Sequence, residues 1–156
     1  MNKNKKIGLV SSSGGHLEQL KQLIPMLQEE DVFIVTEWNK TTKGLSSDYK
    51  THFLVQQERK NITFILNLLK NTIRSLRILR REQPEVIIST GAGATIPFLV
   101  IGKVMGSRVI FIESFAKISS PTLTGRIIYH IADQFYIQWP SMEKFYPKAL
   151  YRGKIY

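Results

Sequence analysis

A short apolar run, Ile7-Gly8-Leu9-Val10, passes through three serines into the turn Gly14-Gly15-His16. Leu17, Leu20, Leu23, Ile24 and Leu27 then recur at helical spacing. A strand, a glycine turn and a helix in immediate succession confine the chain to a few architectures. They also leave the first-turn amides of the helix facing a cleft, where the helix dipole favours an anion. Paired glycines let the backbone turn sharply and let a ligand come close to it. Histidine, the residue type whose charge changes near neutral pH, stands at the lip of this turn.

The same alternation continues along the chain. Strands are expected at Lys6 to Val10, Val32 to Thr36, Thr51 to Val55, Glu85 to Thr90, Arg108 to Glu113 and Gln134 to Trp139. Helices are expected at Leu17 to Glu29, Ile62 to Arg81, Ile96 to Met105 and Leu123 to Ile131. The run Val86-Ile87-Ile88 is unbroken and β-branched, as in a strand buried on both faces. Strands alternating with helices predict an α/β fold, a Rossmann-like parallel sheet with helices on both faces. With 156 residues and no linker, repeat or low-complexity tract, residues 1–156 read as one domain.

Without cysteine the chain has neither disulfides nor thiolate metal sites, and His16, His52 and His130 lack metal-ligand spacing. No metal and no cofactor is expected. The basic start, Met1 to Lys6, reads as neither a signal peptide nor an anchor, and no window approaches the ~18 apolar residues that span a bilayer. A formal charge of +10 calls for an anionic partner. Nucleic acid would demand aromatic and basic residues interleaved on one face, and that pattern is absent. The favoured anions are phosphates and an anionic membrane surface.

The Ile62 to Arg81 helix carries the membrane reading. At ~100° per residue, Lys70, Arg74, Arg77 and Arg81 form one stripe. Phe64, Ile65, Leu68, Leu69, Ile73, Leu76 and Leu79 cover a broad opposite arc. Such a helix either packs on the sheet with a solvated basic face or lies at a lipid boundary, its cations meeting headgroups. The second reading makes Phe64, Leu68, Lys70, Arg74, Arg77 and Arg81 membrane contacts.

A second glycine loop, Thr90-Gly91-Ala92-Gly93-Ala94-Thr95, follows the buried strand, and Pro97 suits a first helical turn. At the carboxyl end of a parallel strand it would face the same crevice as the first loop. Glu113-Ser114 ends the next strand, where a carboxylate can orient a hydroxyl or act as a base. The dinucleotide pattern G-x-G-x-x-G fails after Gly15, although Glu37 stands where a ribose-binding acid would lie. The tail from Pro140 to Tyr156, rich in Tyr and Lys, suits a protein contact.

Ser12-Ser13-Gly14-Gly15-His16, Thr90-Gly91-Ala92-Gly93 with Pro97, and Phe111-Ile112-Glu113-Ser114 together resemble the amino-terminal half of glycosyltransferase-B enzymes of the MurG type. The likeness is greatest to split enzymes whose halves are separate polypeptides. One kind is the membrane subunit of the eukaryotic dolichol-linked N-acetylglucosaminyltransferase. The other is the bacterial capsule or exopolysaccharide subunit that enhances a β-1,4-galactosyltransferase.

The resemblance implies an inverting, two-chain transferase. This half would bind a polyprenyl-diphosphate-linked saccharide at the cytoplasmic face of the membrane, peripherally, while a nucleotide-sugar-binding partner supplies a UDP-sugar. It implies catalytic roles for His16 and Glu113. It also implies substrate contacts at Ser13, Gly14 and Gly15 and, around the acceptor pyrophosphate, at Gly91, Ala92, Gly93 and Thr95. Two other readings remain at this stage: a basic nucleic-acid-binding module, and a non-catalytic membrane scaffold that recruits the partner.

Overall fold

The computed structural model describes residues 4–57 and 63–155. Seven parallel strands form one sheet: β1 (Lys6–Ser11), β2 (Asp31–Glu37), β3 (Thr51–Leu54), β4 (Val86–Gly91), β5 (Arg108–Ile112), β6 (Gln134–Ile137) and β7 (Leu150–Tyr151). Their spatial order is β3-β2-β1-β4-β5-β6-β7. Four helices connect them: α1 (Gly15–Lys21), α2 (Thr63–Glu82), α3 (Ile96–Val104) and α4 (Leu123–Ile128).

Side-chain alternation along the strands divides the core in two. Ile7, Leu9 and Ile34 point to the face covered by Leu17 and Leu20 of α1. Val10, Phe33, Val35, Ile87, Val109 and Phe111 point to the other, against Leu79 of α2, Phe98 and Leu99 of α3, and Ile128 of α4. The expected architecture is therefore present, with unequal coverage: one helix on one face and three on the other. The β2–β3 crossover contains only a 3-10 turn, Leu45–Ser47, whose Leu45 packs with Tyr49 on the α1 side.

Strand order places the crevice. Chain leaving β1 goes through α1 to β2 on one side, and chain leaving β4 goes through α3 to β5 on the other. The β1–β4 boundary is the point where connections diverge to opposite faces, and ligands in such sheets bind outside the carboxyl ends of those strands.

Two expected elements come out differently. The first helix stops at Lys21, and a 3-10 turn at Ile24–Leu27 follows, because Pro25 lacks the amide that a continuing helix needs. The carboxyl-terminal tail is anchored at two points and is otherwise largely exposed. Met142 and Tyr146 are buried in the main core, and Leu150–Tyr151 add β7 beside β6. Phe145, Lys148, Tyr151, Arg152 and Lys154 remain exposed. Ile62, the expected first residue of the long helix, and Tyr156 lie outside the described residues.

The long helix is turned inside out. Its sheet-facing stripe is Asn71, Ser75, Leu79 and Glu82, three of them polar. Asn71 bonds both the amide and the carbonyl of Val55, at 2.7 and 2.9 Å, whereas the buried Ser75 hydroxyl has no partner. Ile65, Leu66, Leu69 and Ile73 instead stand 69%, 57%, 57% and 44% exposed. Phe64, Lys70, Arg77 and Arg81 are also exposed, and Leu68 is half-buried. Arg74 departs from the basic stripe's expected role: its Nη1 donates to the Phe53 carbonyl at 3.2 Å, tying it to the sheet edge. No helix among the described residues is long and apolar enough to cross a membrane.

Glu82 anchors the far end of α2. Its buried carboxylate meets Lys50 at 2.6 Å, His52 at 2.9 Å and Lys6 at 3.0 Å, all at or beside strand starts. The amino-terminal half of α2 therefore lies toward the crevice edge. Burial alone would raise the Glu82 pKa, but hydrogen bonds from Lys50, Lys6 and His52 outweigh it and bring it down to about 2. A depressed carboxyl pKa stabilises the fold above the ordinary value of 4.5, and that contribution is lost as pH falls from there toward 2. The depression corresponds to about 3 kcal/mol. In urea unfolding, Glu82→Gln should therefore be less stable than the parent by about that amount at neutral pH. The gap should close as the pH is lowered through this window.

Candidate functional site

The two glycine loops meet at the carboxyl ends of β1 and β4. The Ser12 amide donates to the Gly91 carbonyl at 2.7 Å, extending the β1–β4 pairing past the strand ends. Thr90 Oγ1 donates to the His16 carbonyl at 2.7 Å, and His16 Nδ1 lies 2.7 Å from the Thr90 carbonyl. A carbonyl can only accept, so Nδ1 carries the proton. In the neutral ring Nε2 is then the lone-pair nitrogen, and it has no hydrogen-bond partner among the described residues. The fixed ring packs over the Gly91 α-carbon: a Cβ there would sit 3.6 Å from His16 Cε1. Gly91 also has φ +96°, which disfavours a side chain independently.

The first loop is braced from its other side. Glu37, at the end of β2, accepts the Ser13 amide at 3.3 Å and the Gln57 amide at 2.9 Å. Glu37 is thus a loop brace. Ser13 is half-buried against that carboxylate, while Gly14, with φ +78°, and Gly15 are exposed and have open space around the α-carbon. Ala92 and Gly93 are half-buried, and Gly93 is likewise open. Thr95 differs from its expected role as a substrate contact. It is fully buried, and both its amide and its hydroxyl donate to the Ala92 carbonyl. It shapes the turn that leads into α3.

Glu113 follows β5 on the same sheet edge, and the three motifs therefore share one side of the molecule. Its carboxylate is nevertheless closed off. The residue is 1% exposed, and Oε1 accepts from the Ser114 amide and the Thr122 hydroxyl, both at 2.9 Å. Oε2 accepts from the Tyr146 hydroxyl at 2.6 Å and the Thr122 amide at 3.2 Å. Four donors on two oxygens leave no room for a substrate hydroxyl. The expected contact with acceptor or base is therefore replaced by a positioning one: Glu113 joins β5, the amino terminus of α4 and the tail. Burial first, then the hydrogen bond and charge of Glu113, hold the Tyr146 phenol protonated far above the ordinary range.

The sequence signals did not single out three participants: Thr90 as the histidine's partner, Gln138 and Tyr146. Gln138 is buried and bonds Gln19 of α1, the Glu113 carbonyl and the Ile155 amide. A Thr directly before a glycine loop carries a readable signal; the other two lie far away in sequence. Among the described residues no group of three or more His, Asp or Glu is placed to hold a metal ion.

This geometry was compared with known proteins. A family model described as Alg14, an oligosaccharide biosynthesis protein Alg14 like, matches residues 7–155. The chain is 22% identical to the UDP-N-acetylglucosamine transferase subunit ALG14 of Homo sapiens, over 94% of this chain and 81% of that one. It is 24% identical to the subunit of the same name from Candida albicans, over 95% and 77%. Its fold is similar to Acinetobacter baumannii MurG, with TM-score 0.73 and 15% identity, over 88% of this chain and 42% of that one. It is also similar to UDP-N-acetylglucosamine 2-epimerase from Rickettsia bellii, with TM-score 0.76 and 12% identity, over 98% and 46%. The chain thus spans less than half of each of those two structures.

The Glu113 cluster makes a sharp demand on α4. A Cβ on Gly125 would lie 2.2 Å from Glu113 Oε2 and 2.5 Å from the Tyr146 hydroxyl. Gly125→Ala must therefore displace the carboxylate from its donors, and should cost about 3 kcal/mol in urea unfolding. Gly93→Ala, where the space is open, should cost less than about 1 kcal/mol.

Proposed function

The chain belongs to the family of Alg14-like oligosaccharide biosynthesis proteins, and from that premise we propose that it is the acceptor-binding subunit of a two-chain inverting glycosyltransferase. The partner subunit binds a UDP-sugar, and this chain holds a polyprenyl-diphosphate-linked saccharide beneath it. The name of the human and Candida relatives, transferase subunit, supports the division of labour. The carrying observation is the pair of glycine loops joined through His16 and Thr90 at the switch point of the sheet. One such domain offers one wall of a cleft, and ligand sites of this kind often lie between domains.

In this reading His16 Nε2 takes the proton from the acceptor hydroxyl as its oxygen attacks the anomeric carbon. The bond from that carbon to the diphosphate breaks, and the electron pair leaves with the nucleoside diphosphate. The Nδ1–H bond to the Thr90 carbonyl keeps the basic nitrogen turned outward and stabilises the imidazolium that forms. Gly14, Gly15, Ala92 and Gly93 offer backbone that a pyrophosphate can approach. Glu113 acts at one remove by fixing the wall beside this cleft.

The outward apolar residues of α2 support peripheral attachment at a cytoplasmic membrane face. Ile65, Leu66, Leu69 and Ile73 present apolar surface outward, while Lys70, Arg77 and Arg81 flank them for anionic headgroups. Because this half of α2 lies toward the crevice, attachment there brings the lipid end of the acceptor to the site. The bacterial capsule or exopolysaccharide setting is proposed on the sequence resemblance.

Reconstitution with the partner, a panel of UDP-sugars and a polyprenyl-diphosphate acceptor tests the assignment. His16→Ala should lower transfer on the order of a hundredfold or more without loss of partner binding. Undiminished transfer would make the chain a scaffold, and full transfer by this chain alone would end the two-chain reading. In flotation with phosphatidylglycerol vesicles, the parent should rise with the lipid, and the triple variant Leu66→Ser, Leu69→Ser, Ile73→Ser should stay in the dense fraction while remaining folded. A parent that stays behind would remove the membrane face.

A further inference from the structure

An open cleft of about 640 Å³ lies outside the carboxyl ends of β2 and β3, on the same end of the sheet as the glycine loops. Its walls include Trp38, Lys40, Phe53, Gln56 and Arg74. That volume is within the ~300–1,000 Å³ of small-molecule sites. Nothing in the roles of His16, the glycine loops or the outward face of α2 uses it.

Its chemistry is selective. Trp38 is 56% exposed on a fastened backbone. Its amide donates to the Leu54 carbonyl at 3.0 Å. The turn that follows is tied by the Thr41 and Thr42 amides on Asn39 Oδ1, and by the Thr42 hydroxyl on the Glu37 carbonyl. An indole on such a backbone presents a flat apolar plate, with only two side-chain torsions to order. Two cations stand with it. Lys40 has no ion pair among the described residues, and Arg74 uses only Nη1 on the Phe53 carbonyl, so its other N–H donors remain free. Among the described residues no carboxylate lines the cleft. Glu37, the nearest acid in sequence, faces the Ser13 and Gln57 amides.

A flat aromatic plate, two cations and no acid fit a ring that carries negative charge: the C–H face of a pyranose on Trp38, and its carboxylate on Arg74 and Lys40. We propose that this cleft is a saccharide subsite for an acidic sugar residue of the acceptor, adjoining the reacting position. The inference rests on the acceptor-binding reading and names a substrate class for it. A membrane headgroup is the less favoured occupant, because Arg74 is fastened to the sheet edge, away from the outward Leu66, Leu69 and Ile73.

Titration of the ¹⁵N-labelled chain with methyl β-D-glucuronide, followed at the two indole N–H signals, tests it without the partner. The Trp38 signal should shift to saturation while that of Trp139 stays put, and methyl β-D-glucoside should bind at least tenfold more weakly. Arg74→Gln should weaken the glucuronide response at least tenfold, and Trp38→Ala should abolish binding seen at the Gln56 amide. The remaining amide signals report that each variant is folded. Equal response to the glucoside, equal response to inorganic phosphate, or no response to the glucuronide would each overturn the subsite. A response to phosphatidylglycerol vesicles alone would overturn it in favour of a headgroup. Transfer by the reconstituted complex is read separately, so a failed titration with His16-dependent transfer intact removes this subsite and leaves the acceptor-binding reading standing.

Discussion

His16 and Thr90 hold each other twice, side chain to main chain in both directions, across 74 residues of sequence. The functional edge depends on that exchange. Chain leaving β1 and chain leaving β4 turn toward opposite faces of the sheet, so nothing in the topology alone would keep their loops together. The two bonds, with the Ser12 amide on the Gly91 carbonyl, close that divergence and convert two flexible glycine turns into one surface. They also settle the imidazole tautomer, since the carbonyl partner admits a proton only on Nδ1. Around this joint, carboxylates serve as braces. Glu37 secures the first loop from β2, and Glu113 secures the strand and tail that flank the second.

The long helix makes a different compromise. An amphipathic helix in a domain of this kind ordinarily buries its apolar stripe. Here α2 buries Asn71, Ser75 and Glu82 and turns Ile65, Leu66, Leu69 and Ile73 outward. Local stability does not explain this arrangement, because the Ser75 hydroxyl is buried without a partner and such groups are costly. The helix is held by polar fastenings at its middle, Asn71 on Val55, and at its carboxyl end, Glu82 on Lys6, Lys50 and His52. Its apolar side chains Ile65, Leu66, Leu69 and Ile73 are thereby left outward.

Much of the fold was legible because strands buried on both faces are written as apolar runs, as at Val86-Ile87-Ile88 and Val109-Ile110-Phe111. The first helix was overextended because the leucine spacing runs on past Pro25, where the missing amide ends it. Wheel positions separated the basic from the apolar residues of α2, but the stripe that meets the sheet lies between them and is defined by hydrogen bonds to β3. In the site, the glycine loops and His16 could be read from local pattern. Glu113 could be placed at a strand end, yet its occupation by Tyr146, Thr122 and Ser114 arises from segments up to 33 residues away. A sequence window reports that a carboxylate is present and leaves open whether its lone pairs are already taken.

The Asn71 clamp also bears on how a second chain can associate. Its amide group meets the Val55 amide and carbonyl as a neighbouring strand would, and Arg74 takes the Phe53 carbonyl one turn further on. The β3 margin is thereby sealed by side chains of a helix, and at the opposite margin β7 is two residues long. Sheets left with long open margins invite intermolecular strand addition. This one offers little, so self-templated ribbon growth is opposed by the Asn71 carboxamide and the Arg74 guanidinium.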